Sequence, residues 1–186
     1  MKTIYYTATS LDGFIADPNN SLEWLFQLEG EGEADYVQFI PRIGAIAMGS
    51  TTYEWILDHE KLLDAGNTRP WPYSQPTWVF STRSLPGVVG ADIRFVKGDV
   101  RPVHEQMAAA AGGRDIWLVG GGDLVGQFWD HGLLDELIVT IGSVTLGAGA
   151  PLLPRAITTP PMRLVSVQQM GPGFAQLRYE VQRPAK

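Results

Sequence analysis

The sequence predicts a three-layer α/β domain built on an eight-stranded, mostly parallel sheet. Strand-like and helix-like segments alternate over the first two thirds of the chain, an order typical of parallel sheets covered by helices on both faces. The last third contains only strand-like segments, and Gly171-Pro172-Gly173 joins the final two as an antiparallel hairpin. The 186 residues contain no linker, repeat or low-complexity tract, so we expect a single domain over residues 1–186.

The first third of the chain predicts two strands and three helical segments. β-branched and aromatic residues over residues 2–9 favour a strand, which Ser10-Leu11-Asp12-Gly13 interrupts before residues 14–16 resume it. Residues 44–48 are short and wholly apolar, as a strand buried on both faces should be. Helical segments are predicted over residues 21–26 and 34–42, with a third helix that begins at Ser50 or Thr51. Thr51 and Glu54 stand in the S/T-x-x-E relation of a capping box.

The remaining elements follow from periodicity and from glycine stops. Two helices are expected, over residues 102–111 and 123–131, because glycine follows each and the second has an apolar face. The predicted strands are residues 77–80, 93–96, 115–119, 136–144, 162–170 and 174–182.

Composition excludes several classes of protein and site. The chain has no cysteine, which rules out disulfides and thiolate metal sites, and the three histidines have no spacing that suggests a metal centre. A net charge of −6 without a Lys/Arg cluster argues against nucleic acid as a partner. No stretch approaches the roughly 18 apolar residues of a membrane span, and the N-terminus lacks a signal-peptide core. We therefore expect a cytoplasmic protein without membrane partners.

Three predicted strand ends carry small or polar residues suited to an anion. They are Gly49-Ser50-Thr51-Thr52, Ser81-Thr82-Arg83 and Gly120-Gly121-Gly122. Parallel strands bring their carboxyl ends to one edge of the sheet, and the N–H groups of a helix N-terminus favour phosphate. Each segment alone is also compatible with an ordinary turn. The Rossmann spacing is absent, because Val125 stands where the third glycine would be needed. A P-loop is absent as well, because the sequence contains no Gly-Lys-Ser/Thr.

Four segments, taken in order along the chain, resemble the dihydrofolate reductase-like family. Residues 48–54, Met-Gly-Ser-Thr-Thr-Tyr-Glu, are similar to the Met-Gly-x-x-Thr-Trp/Tyr-Glu segment of dihydrofolate reductases. Residues 119–122 resemble their Gly-Gly cofactor turn, and residues 80–83 the strand end that meets the adenosine side of NADPH. Residues 10–16 are closer to the reductase domain of the bacterial riboflavin-biosynthesis deaminase–reductase. The resemblance extends over residues 2–182.

The resemblance implies an NADPH-dependent reductase on an eight-stranded sheet. By position it assigns Ala8 and Ile15 to the nicotinamide end of the cofactor, and Ser81, Thr82 and Arg83 to the 2′-phosphate. The remaining cofactor-binding positions are assigned to the phosphate groups of the cofactor. They are Gly49, Ser50, Thr51, Thr52, Val119, Gly120, Gly121, Gly122, Asp123 and Leu124.

Three carboxylates are candidates for the proton that hydride transfer requires. In the family this group lies on the helix before the Met-Gly strand, which favours Asp35, whereas an ungapped count from Met48 favours Glu33. Asp35 is equally interpreted as a helix N-terminal carboxylate that complements the dipole. Asp12 is the third candidate, with a plain turn at Asp12-Gly13 as the alternative interpretation.

The substrate expected from the resemblance is a planar heterocycle of the pterin or riboflavin-precursor type, or a related carbonyl or imine. Trp24, Trp71 and Tyr73 are candidates for a stacking wall, although each is also typical of a core. Residues 146–153 resemble the riboflavin-type branch and, with the late apolar strands, suggest a homodimer. The alternative function is a module that binds or senses a nucleotide cofactor without catalysis.

Overall fold

The computed structural model describes residues 1–30 and 32–183, and for residues 32–34 it describes the backbone only. In chain order the strands are β1 (Thr3–Ser10), β2 (Phe14–Ala16), β3 (Ile43–Gly49), β4 (Thr77–Phe80), β5 (Ile93–Val96), β6 (Asp115–Gly120), β7 (Glu136–Gly142), β8 (Ala150–Pro151), β9 (Arg163–Gln169) and β10 (Phe174–Glu180). The α-helices are α1 (Glu23–Phe26), α2 (Gly32–Phe39), α3 (Ser50–His59), α4 (Val100–Ala111) and α5 (Gly122–Asp130). A 3-10 helix, Ile40–Arg42, follows α2.

Eight of the strands form one sheet in the order β5-β4-β3-β6-β1-β7-β10-β9. The six strands from β5 to β7 run parallel to one another. β10 is antiparallel to both β7 and β9, which makes the C-terminal hairpin. The predicted eight-stranded, mostly parallel sheet with an antiparallel edge is thereby confirmed.

Helices cover both faces of the sheet and enclose two apolar cores. Adjacent residues of β1 point to opposite faces, so Ile4 enters one core and Tyr5 the other, both fully buried. The core around Tyr5 is completed by α4 and α5, and the core around Ile4 by α2 and α3. This arrangement gives the three predicted layers. Within residues 1–30 and 32–183, none of the helices combines the length and apolar character needed to cross a bilayer.

The segment over residues 14–16 departs from the prediction that it resumes the first strand. It forms a separate two-stranded sheet with β8, in which Phe14 pairs with Pro151 and Ala16 with Ala150. The turn at Gly13, where φ is +87°, takes the chain out of the main sheet. The partner strand lies more than 130 residues away along the chain, so local sequence patterns carry no signal of the pairing.

The predicted capping box at Thr51 and Glu54 is wrong. α3 begins at Ser50, its N-cap is Gly49, and no side chain caps it. Glu54 instead forms an ion pair with Arg83, which follows β4. Elsewhere the helix boundaries differ by a few residues: α4 begins at Val100 because the Asp99 carboxylate accepts a hydrogen bond from the Arg101 amide as its N-cap.

His104 on α4 makes stability depend on pH. Its ring Nε2 lies 2.9 Å from Thr3 Oγ1, and burial lowers its pKa, against the opposing charges of Asp135 and Glu105. The folded state disfavours the charged form of His104. Its neutral form therefore makes its full contribution to the free energy of unfolding above the unfolded pKa of about 6.5, and this contribution is lost as pH falls through the lower pKa of the folded state. We expect urea unfolding to show that His104→Gln loses less stability than the parent between pH 7.5 and 5. Parallel pH profiles would contradict this expectation.

Candidate cofactor cleft

A cleft of about 510 Å³ lies at the carboxyl edge of the parallel strands. Gly49 at the end of β3, Phe80 at the end of β4 and Val119 in β6 line it, because these parallel strands deliver their carboxyl ends to the same edge. Helix α3 follows β3 directly and α5 follows β6, so the N-termini of both helices open into the cleft.

The two helix N-termini make the cleft chemically suited to an anion. The N-caps, Gly49 of α3 and Gly121 of α5, have extended backbones, and no side chain caps either helix. The amide groups of the first turn of a helix have no intrahelical acceptor, and the helix dipole adds positive potential there. The residues of these two turns that line the cleft are Ser50, Thr51, Thr52, Gly122, Asp123 and Leu124.

Close backbone packing brings the two N-termini together. A Cβ atom on Gly49 would lie 3.7 Å from the amide nitrogen of Gly121, which places the two caps side by side. Gly120 has φ +135°, a conformation that favours glycine, and its peptide bond to Gly121 is cis. Gly122 packs directly on β8, because a Cβ atom there would lie 2.3 Å from the carbonyl oxygen of Leu152. Side chains larger than hydrogen are therefore excluded where α5 meets β8.

The two-stranded sheet of β2 and β8 forms the opposite wall of the cleft. Ile15 and Ala16 from β2 line it together with Ala150 and Pro151 from β8. Among the described residues that line the cleft, Asp123 is the only one with a charged side chain. An anionic ligand in the cleft would therefore be held by backbone amides and hydroxyl groups rather than by a cation.

Asp12 fastens this wall to the main sheet. Its carboxylate accepts hydrogen bonds from the Ser10 hydroxyl at 2.6 Å, from the Gly147 amide at 2.7 Å and from the Leu146 amide at 3.0 Å. The Ser10 hydroxyl, assisted by the two amides, lowers the pKa of Asp12 and keeps the group ionised. Asp12 does not line the cleft. These contacts support its interpretation as a turn residue, now with a defined positioning role.

Asp35 on α2 belongs to a polar network over β1 and β10. Its Oδ2 accepts hydrogen bonds from the Tyr6 hydroxyl at 2.8 Å and from Gln176 Nε2 at 2.9 Å, and the same Gln176 nitrogen lies 3.3 Å from Thr140 Oγ1. Burial, reinforced by the Asp35 carboxylate, raises the pKa of Tyr6. Tyr6 therefore stays a neutral donor to an acceptor carboxylate. Its neighbour Thr7 lines the cleft, although Asp35 itself does not.

Glu33 and Ala8 are two further predicted site residues. Glu33 lies in α2, but its side chain is outside the described residues. Ala8 is half-buried in β1 and does not line the cleft, whereas the preceding Thr7 does. Sequence reasoning missed Thr7, Tyr6 and Gln176, because nothing in a strand pattern shows which strand residue faces a ligand.

The third predicted strand end, Ser81-Thr82-Arg83, continues from Phe80 at the margin of the cleft. The Arg83 amide donates to Ser81 Oγ at 2.9 Å, which closes a tight turn. The Arg83 guanidinium donates to both carboxylate oxygens of Glu54, at 2.8 and 2.5 Å. This hydrogen-bonded pair raises the pKa of Arg83. The cation of this predicted strand end is thus already paired with a carboxylate.

The aromatic residues at the cleft differ from those expected. Trp24 and Trp71 are each 7% exposed and do not line the cleft, whereas Tyr73 does. Trp55 also lines it, and its ring stacks on His59 with centroids 4.5 Å apart. Phe26 from α1 stacks on the same histidine at 5.2 Å. No sequence pattern selects Trp55, because the face that α3 turns to the cleft depends on its packing.

The architecture of the sheet and its helices defines the class of protein: the chain has a dihydrofolate reductase-like fold. The structure of dihydrofolate reductase from Enterococcus faecalis, complexed with NADP(H), superposes with a TM-score of 0.61 at 14% identity, covering 96% of this chain and 95% of that one. This likeness shows the fold alone.

The chain belongs to the RibD C-terminal domain family, whose model matches residues 56–176. It is 33% identical over 178 residues to the uncharacterized protein YwjB of Bacillus subtilis (strain 168), covering 96% of this chain and 97% of the relative. A Shewanella sp. PV-4 structure, provisionally named for riboflavin biosynthesis, has a TM-score of 0.80 at 26% identity and covers 98% of this chain and 100% of its own. The family suggested by the four sequence segments is therefore confirmed.

Proposed function

We propose that the protein is an NADPH-dependent reductase that transfers a hydride to a planar heterocycle, of the pterin or riboflavin-precursor type, or to a related carbonyl or imine. The observation that carries the proposal is the pair of adjacent helix N-termini without side-chain caps, which share one cleft at the carboxyl edge of the sheet. Family membership adds support, because the fold is that of known reductases.

The residues of the cleft fit a dinucleotide. The N-caps Gly49 and Gly121 carry no side chain that would cover the two rows of first-turn amides, so these amides are available to a pyrophosphate. Thr7 and Ile15 line the part of the cleft proposed for the nicotinamide, with Ala8 beside them in β1. When bound, NADPH supplies the hydride; the protein binds and orients it. The Ser81-Thr82-Arg83 turn is proposed to meet the 2′-phosphate.

The Asp35 network is proposed to hold the proton that follows the hydride. A carboxylate that accepts from a neutral phenol can take up a proton and pass it on without large movement. Tyr6 and Gln176 fix the orientation of Asp35 Oδ2. Asp12 is already engaged with the Leu146 and Gly147 amides, which favours Asp35 over Asp12 for this role.

Titration of the protein with NADPH, followed by tryptophan fluorescence, tests the cofactor proposal. Trp55 lines the cleft, so bound nucleotide is expected to quench its emission, and a Trp55→Phe variant should bind with a smaller signal change. Absence of NADPH and NADH binding by calorimetry as well as by fluorescence would overturn the proposal.

Asp35→Asn is expected to lower turnover at least about 100-fold, because a general acid contributes in this range. The affinity for NADPH should stay within about twofold of the parent, because Asp35 does not line the cleft. The measurement is NADPH oxidation against a panel of pterins and aminopyrimidines. Asp12→Asn serves as the comparison, and it should weaken nucleotide binding through the loosened wall. The alternative function, a nucleotide-binding or sensing module, is supported if the parent binds NADPH but turns over no substrate.

Two copies are proposed to associate through β9. All seven residues of this edge strand are exposed, and Leu164, Val165 and Val167 present 50%, 42% and 63% of their surface. Two identical edge strands can pair about a twofold axis, which places the apolar side chains of one copy beside those of the other. The predicted contribution of residues 146–153 is less direct, since Leu152 and Leu153 pack on the core beneath α5. Light scattering should give the mass of a dimer for the parent and of a monomer for Val167→Lys.

A further inference from the structure

The ion pair between Glu54 and Arg83 joins two elements that border the cleft. Glu54 lies one turn into α3, whose first turn lines the cleft, and Arg83 ends the turn that follows β4. Both carboxylate oxygens of Glu54 engage both terminal nitrogens of Arg83, at 2.8 and 2.5 Å. Such a two-pronged contact is the geometry that a guanidinium also offers to a phosphate. Glu54 therefore occupies the donors that a phosphate group would use.

The pair carries no net charge, and this matters for a ligand that brings additional negative charge. In the part of the chain that the structure describes, no lysine or arginine lines the cleft, and the charged lining residue, Asp123, is acidic. The side chains of Arg83 and Glu54 are 56% and 38% exposed, so solvent screens them and their exchange of partners is inexpensive. A phosphate that approaches Arg83 must displace Glu54 and remain close to its carboxylate.

We infer that Glu54 is a specificity-determining residue that limits the preference of the cleft for NADPH over NADH. This inference rests on the proposed function. The two cofactors differ only in the 2′-phosphate, which is the group proposed to meet Arg83. With Glu54 present, that phosphate gains the guanidinium but loses the existing ion pair and meets a like charge. Removal of the carboxylate leaves Arg83 cationic and free to bind the phosphate.

The test compares dissociation constants for NADPH and NADH in the parent, Glu54→Gln, Arg83→Gln and the double variant. Glu54→Gln is expected to tighten NADPH about threefold to tenfold and leave NADH unchanged, given the modest strength of an exposed pair. Arg83→Gln should weaken NADPH selectively. In the Arg83→Gln background the gain from Glu54→Gln should be smaller than in the parent, because the part that acts through the guanidinium is lost and only the relief of like-charge repulsion remains.

Asp92→Asn is the matched control. It makes the same change in net charge and disrupts a similarly exposed two-pronged pair with Arg94, beside the amino end of β5 at the opposite edge of the sheet. Its affinity ratio for the two cofactors should equal that of the parent. A gain in Asp92→Asn equal to that in Glu54→Gln would overturn the inference, because it would reflect net charge alone.

The outcomes separate this inference from the proposed function. If neither cofactor binds to the parent or to any variant, the proposed function fails and the inference with it. If both cofactors bind but Glu54→Gln leaves the NADPH to NADH ratio unchanged, the reductase proposal stands and the inference is overturned. Persistence of the full Glu54→Gln effect in the double variant also overturns it.

Discussion

Gly122→Ala is expected to lower the free energy of unfolding by about 2–3 kcal/mol, the range for overpacking a close contact. The new Cβ would lie 2.3 Å from the Leu152 carbonyl oxygen and 2.4 Å from that of Pro151, and both are backbone atoms that cannot rotate away. Displacement of Leu152 would strain its two hydrogen bonds, one from the Tyr5 hydroxyl and one to the Gly13 carbonyl. Denaturant unfolding measures the loss.

The same substitution should weaken NADPH binding at least about tenfold, because β8 is a wall of the cleft and α5 supplies its amides. The adjacent Gly121→Ala is the control for stability. A Cβ atom there meets only the Ile15 methyl group, at 3.8 Å, and the φ of −77° suits alanine. We expect Gly121→Ala to unfold within about 0.5 kcal/mol of the parent. Equal stability of the two variants would contradict the close packing of α5 on β8.

Glu136→Gln is expected to cost about 3 kcal/mol of stability, near the lower end for breaking a buried ion pair. Glu136 at the start of β7 is fully buried, with Lys2 Nζ at 2.8 Å and Arg178 Nε at 2.5 Å from its carboxylate oxygens. The amide of glutamine would keep the shape and lose the charge that compensates two cations. The cost is not larger because Lys2 and Arg178 reach solvent, with 41% and 34% of their side chains exposed.

Glu180→Gln provides the comparison on the neighbouring strand. Glu180 lies opposite Glu136 in β10, is 33% exposed and pairs with Arg163 and, at 3.8 Å, with Lys2. Exposed pairs contribute at most about 1 kcal/mol, so the loss in Glu180→Gln should stay within that limit at pH 7. A loss as large as that of Glu136→Gln would show that burial of the carboxylate does not decide the cost.

The positions of the main-sheet strands and the mostly parallel character of that sheet were accessible from sequence because they depend on local patterns and on the alternation of strands with helices. Residues 44–48 are continuously apolar, and β3, which contains them, is buried over six of its seven residues. Gly112 ends α4 in the left-handed conformation that its place after an alanine-rich helix predicts. The three strand ends rich in glycine or hydroxyl groups were recognisable for the same reason: the residue types that a close backbone approach requires are few.

The tertiary structure decided everything that depends on a partner distant in the chain. Asp12 and Asp35 are equivalent as acidic residues in the sequence. In the fold, Asp12 accepts hydrogen bonds from the backbone amides of residues 146 and 147, whereas Asp35 accepts them from a phenol hydroxyl of β1 and a side-chain amide of β10. The predicted capping box does not form, because the Glu54 carboxylate pairs with Arg83, 29 positions away, rather than with the N-terminus of its own helix.

The sequence by itself determined the fold class, the family and the edge of the sheet at which we propose that a ligand binds. Only folding determined which side chains face that ligand, because a strand or helix pattern specifies a buried face but not what covers it. Trp55 in the cleft and Trp24 in the core illustrate the difference. Both are tryptophans in helical segments of similar character, and their roles are separated solely by the packing of α1 and α3 around the carboxyl end of the sheet.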